Sequence, residues 1–130
     1  MNKDIIKLNI PRKASYISLI RLIASGIAYN LALNIDEIED IKVSIGEACI
    51  NSLNFSEDDE IFLIFQIEED KLSIKVSGVK ENIPDILDEK KERELGLLII
   101  KSLMDEVNFN DNGIEMIKYI EDDNQWPLVL

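Results

Sequence analysis

Apolar side chains recur at two spacings along the chain. Ile6, Leu8 and Ile10 alternate with polar residues, which predicts a strand over Asp4–Ile10 ended by Pro11. The spacing then lengthens to three and four. Ile17, Ile20, Ala24, Ile27 and Leu31 predict a helix from about Lys13 to Leu33, and Leu19, Leu22 and Ile23 widen its apolar face. That width has two explanations: deep burial, or a surface for a second protein or a second copy. Asp36 has the character of an N-cap, with Glu39 three residues on, and predicts a second helix over Asp36–Asn54. At 100° per residue Ile38, Ile41, Ile45, Ala48, Cys49 and Ser52 gather on one side of it. Asp40, Ser44, Glu47 and Asn51 form a polar stripe on the opposite side.

Period two returns in Glu60–Ile67 and Leu72–Gly78, two antiparallel strands joined by the acidic turn Glu68–Lys71. Val79–Arg93 is a charged connection in which Pro84 suits the first position of a short helix. Glu94–Asp105 predicts a helix whose leucines and isoleucines cover nearly its whole circumference, hence one buried on several sides. Glu106–Phe109 and Ile114–Glu121 predict a hairpin about Asn110-Asp111-Asn112-Gly113. The apolar tail Trp126–Leu130 either packs on the body or meets another molecule. The order β-α-α-β-β-α-β-β predicts an α+β fold, a two-layer sandwich with an antiparallel or mixed sheet and helices on one face. No repeat or linker divides the chain, so one domain is expected over 1–130, with a core at about 4–121 and a tail at 122–130.

Composition narrows the chemistry. The 130 residues hold 26 acidic and 14 basic side chains, a net charge of −12. Such a charge argues against nucleic acid or an anionic membrane as partner and favours neutral or basic proteins. With no histidine and a single cysteine, imidazole catalysis, thiolate zinc clusters and an internal disulfide are excluded. No apolar run approaches the 18 residues of a spanning helix or forms a signal-peptide core, and a cytoplasmic protein is expected.

One pair on the polar stripe has chemical capacity. Glu47 and Asn51 are four apart on a helix and share a face. A carboxylate can accept a proton from a nucleophile, and a carboxamide oxygen can ligate Mg²⁺. On spacing alone the pair fits a solvated helix face equally well. The whole run Asp36–Asn51, however, closely resembles the N-box helix of the bacterial anti-sigma factor serine kinases. These belong to the GHKL, or histidine-kinase-like, ATPase superfamily. Leu95-Gly96-Leu97 and Leu103-Met104-Asp105-Glu106-Val107 resemble the stretch around and after that family's second glycine box. The order of elements matches its Bergerat sandwich from Asp4 to about Glu121.

The resemblance implies a protein that binds a sigma factor and uses ATP and Mg²⁺ to phosphorylate a serine of an antagonist. It implies Glu47 as general base, Asn51 as Mg²⁺ ligand and cofactor-binding residue, Gly96 as a phosphate-binding glycine, and Arg21 as a contact to the sigma partner. It also implies a homodimer. The family carries an Asp-x-Gly at the end of the third strand, whose Asp holds the adenine amino group. Here that point reads Ser77-Gly78-Val79-Lys80, with Gly78 at the place of the Asp. Glu94 replaces the earlier glycine of the second box, and Glu92 aligns with an arginine expected to face the γ-phosphate. These departures predict a fold kept for protein recognition, with ATP binding weakened or lost. The alternatives are an active serine kinase that tolerates a divergent adenine pocket, and an unrelated acidic α+β adaptor.

Overall fold

A computed structural model describes residues 3–81 and 87–121, the side chains of 87–90 and 92 excepted. Strand β1 (Asp4–Pro11) is followed by a 3₁₀ turn at Ala14–Tyr16 and helices α1 (Ile17–Tyr29) and α2 (Ile35–Phe55). Strands β2 (Glu60–Ile67) and β3 (Lys71–Ser77) come next, then helix α3 (Leu87–Leu103) and strands β4 (Glu106–Asn110) and β5 (Gly113–Tyr119). The sheet runs β1-β2-β3-β5-β4, and every neighbouring pair is antiparallel. The α+β sandwich is as expected, in the antiparallel of its two forms.

Alternation decides which face of the sheet is covered. Leu63 and Phe65 of β2, Leu72, Ile74 and Val76 of β3, and Ile114 and Met116 of β5 are buried. They pack against Ile20, Ala24 and Ala28 of α1, Ile41, Ile45 and Ala48 of α2, and Leu97 and Ile100 of α3. Small residues at 24, 28 and 48 let the helices approach the sheet closely. Arg12, just past β1, donates to the carbonyls of Leu53 and Asp58. A cation on the Leu53 carbonyl, in the last turn of α2, also complements that helix's dipole. On the same helix-covered face Lys118 of β5 is buried, donates to the Leu103 carbonyl at 2.6 Å, and lies 3.8 Å from Asp40 and 3.9 Å from Asp105.

Several expected boundaries move. The first long helix ends at Tyr29, not Leu33, because Asn30–Asn34 forms the approach to α2. The N-cap of α2 is Asn34 rather than Asp36: its side chain accepts from the Glu37 N–H at 2.8 Å, while the Glu37 carboxylate accepts from the Asn34 N–H at 2.9 Å. Helix α3 begins at Leu87, seven residues before the predicted start at Glu94, and takes over the second half of the charged connection. Nor is α3 apolar all round in effect, since Leu95 and Leu98 are about 60% exposed. The expected short helix at Pro84 and the placement of Trp126–Leu130 fall outside the described residues.

The hairpin stands as expected. Asn110 Oδ1 accepts from the N–H groups of Asn112 and Gly113 at 2.7 and 3.0 Å, an Asx turn. Gly113 has φ +154°, and a Cβ there would sit 2.1 Å from the Val76 carbonyl oxygen. No helix among the described residues is long and apolar enough to cross a membrane.

Candidate functional site

The polar stripe of α2 does not face open solvent. Asp40 reaches Lys118, Ser44 is fully buried, and Glu47 and Asn51 turn toward α3. Between α2 and α3 lies a cavity of about 240 Å³, lined by Glu47, Ile50, Asn51, Asn54, Phe55, Arg93, Leu95, Gly96 and Ile99. Three of the sequence-predicted site residues therefore meet in one place. Gly96 lets α3 approach closely: a Cβ at that position would stand 3.0 Å from Glu47 Oε1.

Asn51 is 5% exposed. Its Oδ1 accepts from the Lys80 N–H at 3.2 Å, tying α2 to the chain that leaves β3, and its Nδ2 is buried with no partner. Arg93 is the residue that sequence reasoning placed beside the site but did not assign to it. Glu92 aligned with the expected arginine, yet Arg93 lines the cavity. It is 7% exposed, and its Nε is buried without a hydrogen-bond acceptor. Once α3 is known to start at Leu87, the signal is visible, because residues 93 and 96 then lie one turn apart on one face.

Outside the cavity, where the chain leaves β3 beside Ser52 and Ser56 of α2, the character is different. Strand β3 contains no carboxylate, and the helix-facing residue of its last pair is Val76, 1% exposed. Gly78 follows at φ +77°. A Cβ there would fall 2.7 Å from Ser52 Oγ and 2.8 Å from Ser56 Oγ, so the backbone has room only for glycine. The Gly78 N–H is held by the Asn112 carbonyl at 3.0 Å, which anchors the turn to the β4–β5 hairpin.

Arg21 lies apart from the cavity. It is exposed on α1, with its guanidinium folded over Gly46 of α2. A Cβ on Gly46 would stand 2.6 Å from Arg21 Nε. Cys49 sits beneath, fully buried, and burial pushes its thiol up to about 12 against the opposing pull of the Arg21 charge. That thiol is inert near neutral pH.

ATP and Mg²⁺ can be tested against this donor set. The phosphate end fits: Arg93 and Asn51 each offer an unused buried N–H, and Gly96 keeps the helix surface low. No group of three or more acidic, histidine or cysteine side chains capable of holding a metal occurs among the described residues. Mg²⁺ would then depend on Asn51, Glu47 and phosphate oxygens together, its usual mode. The base end does not fit, for want of a carboxylate on β3 or at Gly78.

The histidine kinase-like ATPase domain profile matches residues 10–118. A serine-protein kinase RsbW of Staphylococcus epidermidis is 35% identical, covering 92% of this chain and 89% of that protein. The RsbW of Bacillus mycoides (strain KBAB4) is 35% identical over 89% of this chain and 85% of its own, and that of Bacillus pumilus (strain SAFR-032) 32% identical over 90% and 86%. Over nearly its whole length, this chain belongs to the histidine kinase-like ATPase family and, within it, to the anti-sigma factor serine kinases.

Proposed function

We propose that the protein is an anti-sigma-type regulator that acts by binding a sigma factor or an antagonist protein, with its affinity for ATP weakened at the base end. One observation carries the weakening. Where the family places an adenine-binding carboxylate, β3 is free of acidic residues and Gly78 is locked in a turn that admits no side chain. Losing a charge-assisted hydrogen bond costs about 1.5–3 kcal/mol, roughly ten- to a hundred-fold in affinity. Protein binding would use the outer face of α1, where Arg21 lies beside the exposed Leu19 and Leu22. Arg21 has no ion pair among the described residues, so its charge is open to a partner's carboxylate. A homodimer formed through the same region belongs to this reading.

Isothermal titration with Mg-ATP tests the weakened site: a dissociation constant in the low micromolar range overturns it. Arg21→Glu should lower affinity for the host sigma factor at least about tenfold without changing the melting temperature. Unchanged affinity removes Arg21 from the interface.

The second reading is an active serine kinase, favoured by the gathering of Glu47, Asn51, Arg93 and Gly96 in one cavity. There Glu47 would accept the proton of the attacking serine hydroxyl, and Arg93 and Asn51 would hold the phosphate chain that ATP brings. Phosphate transfer to an antagonist, abolished by Glu47→Ala, is its signature. No transfer under conditions that support sigma binding favours the first reading.

A further inference from the structure

We propose that the cavity between α2 and α3 is a polyphosphate site that does not distinguish bases, taking ATP, GTP or bare tripolyphosphate with Mg²⁺ alike. The inference rests on the weakened base end argued above and adds what the remaining end selects. Four side-chain atoms of the described residues are buried without a hydrogen-bond partner, and two of them, Arg93 Nε and Asn51 Nδ2, belong to this one cavity. Both are N–H donors, so the group that completes them is an acceptor. Arg93 is a cation, 7% exposed, with no ion pair among the described residues. A buried guanidinium is satisfied by an anion that takes its forked donors, and phosphate has that geometry.

Size and charge point the same way. At about 240 Å³ the cavity is smaller than the 300–1,000 Å³ typical of pockets for drug-sized ligands. It is too small for a whole nucleoside triphosphate, and its two unpartnered N–H donors select the phosphate chain. Glu47 on the cavity wall would repel that chain unless a divalent cation sits between them, so the chain should enter together with Mg²⁺. Beyond the cavity, where the family holds adenine, Val76 is buried and the filled turn at Gly78 carries no side chain, so no side-chain group is offered there to tell adenine from guanine.

Isothermal titration of the full chain with ATP, GTP and tripolyphosphate, each with excess Mg²⁺, tests this directly. ATP and GTP should bind within about threefold of each other, with tripolyphosphate comparable. Arg93→Gln should weaken all three by about tenfold or more, and Arg93→Lys should recover part of the loss. Should Arg93→Gln fold poorly by circular dichroism, the ATP-to-GTP ratio of the wild type and the Arg93→Lys variant decide. ATP bound about tenfold tighter than GTP overturns both this inference and the weakened base end. No binding of any of the three at millimolar concentration overturns this inference alone and leaves the protein-binding reading standing.

Discussion

At Gly78 the backbone takes φ +77° while Ser52 and Ser56 occupy the space a Cβ would need. Gly78→Ala meets both penalties and should lower stability by about 2 kcal/mol or more, read as a shifted urea midpoint. Gly46 is the milder case, because what a Cβ meets there is the end of the Arg21 side chain, which can swing away. Cys49 makes a prediction in pH. Its thiol ionises at about 12 in the folded protein and near 9 when exposed. Between these values the unfolded chain has released the proton and the folded one has not, so stability falls as pH rises. Compared with Cys49→Ala, the wild type should lose up to about 1.4 kcal/mol more per pH unit above pH 9. Below pH 9 the two should run parallel in urea titrations, and parallel curves up to pH 12 would show that the thiol is not desolvated.

Helices and strands differ in how openly the sequence displays their limits. All five strands were legible, because Pro11, the acidic turn at 68–71 and the Asn-Gly turn punctuate clean alternation. The start of α2 was not, because Asn34/Glu37 and Asp36/Glu39 both have the spacing of a capping box and overlap by two residues. The helix adopts the earlier pair. Asn34→Ala should therefore cost about 1 kcal/mol in thermal unfolding, and Asp36→Ala clearly less. Helix α3 was hidden for a related reason. Residues 89–94 are good helix formers with no apolar stripe, and they resemble a charged linker until the leucines begin. This error also concealed half of the cavity. The Glu47–Asn51 spacing was readable within one helix, whereas Arg93 joins them only if its own helix extends back far enough to orient it.

Across the whole molecule, the helix layer and the sheet are joined by polar contacts as well as by the core. Lys118 connects β5 to the Leu103 carbonyl at the end of α3, to Asp105 beyond it, and to Asp40 on α2. Its side chain is 6% exposed while Asp40 and Asp105 are 34% and 41% exposed, so the carboxylates stay solvated if the lysine is removed. Lys118→Met should lower stability by about 1–2 kcal/mol, less than a fully buried pair would, with the loss visible in a thermal melt at neutral pH. The sheet order has a further effect, in the time dimension of synthesis. Strand β1 pairs with β2, from Asp4↔Ile67 to Pro11↔Glu60, across the intervening helical hairpin. At about 5–20 residues per second, β1 leaves the ribosome roughly 2.5–13 s before its partner strand does. Its only other edge is open, and Ile5 and Ile6 remain half exposed even in the finished fold. Throughout that interval the nascent chain presents an unpaired apolar strand, with Lys7 and Pro11 as the local safeguards against pairing with a neighbouring chain.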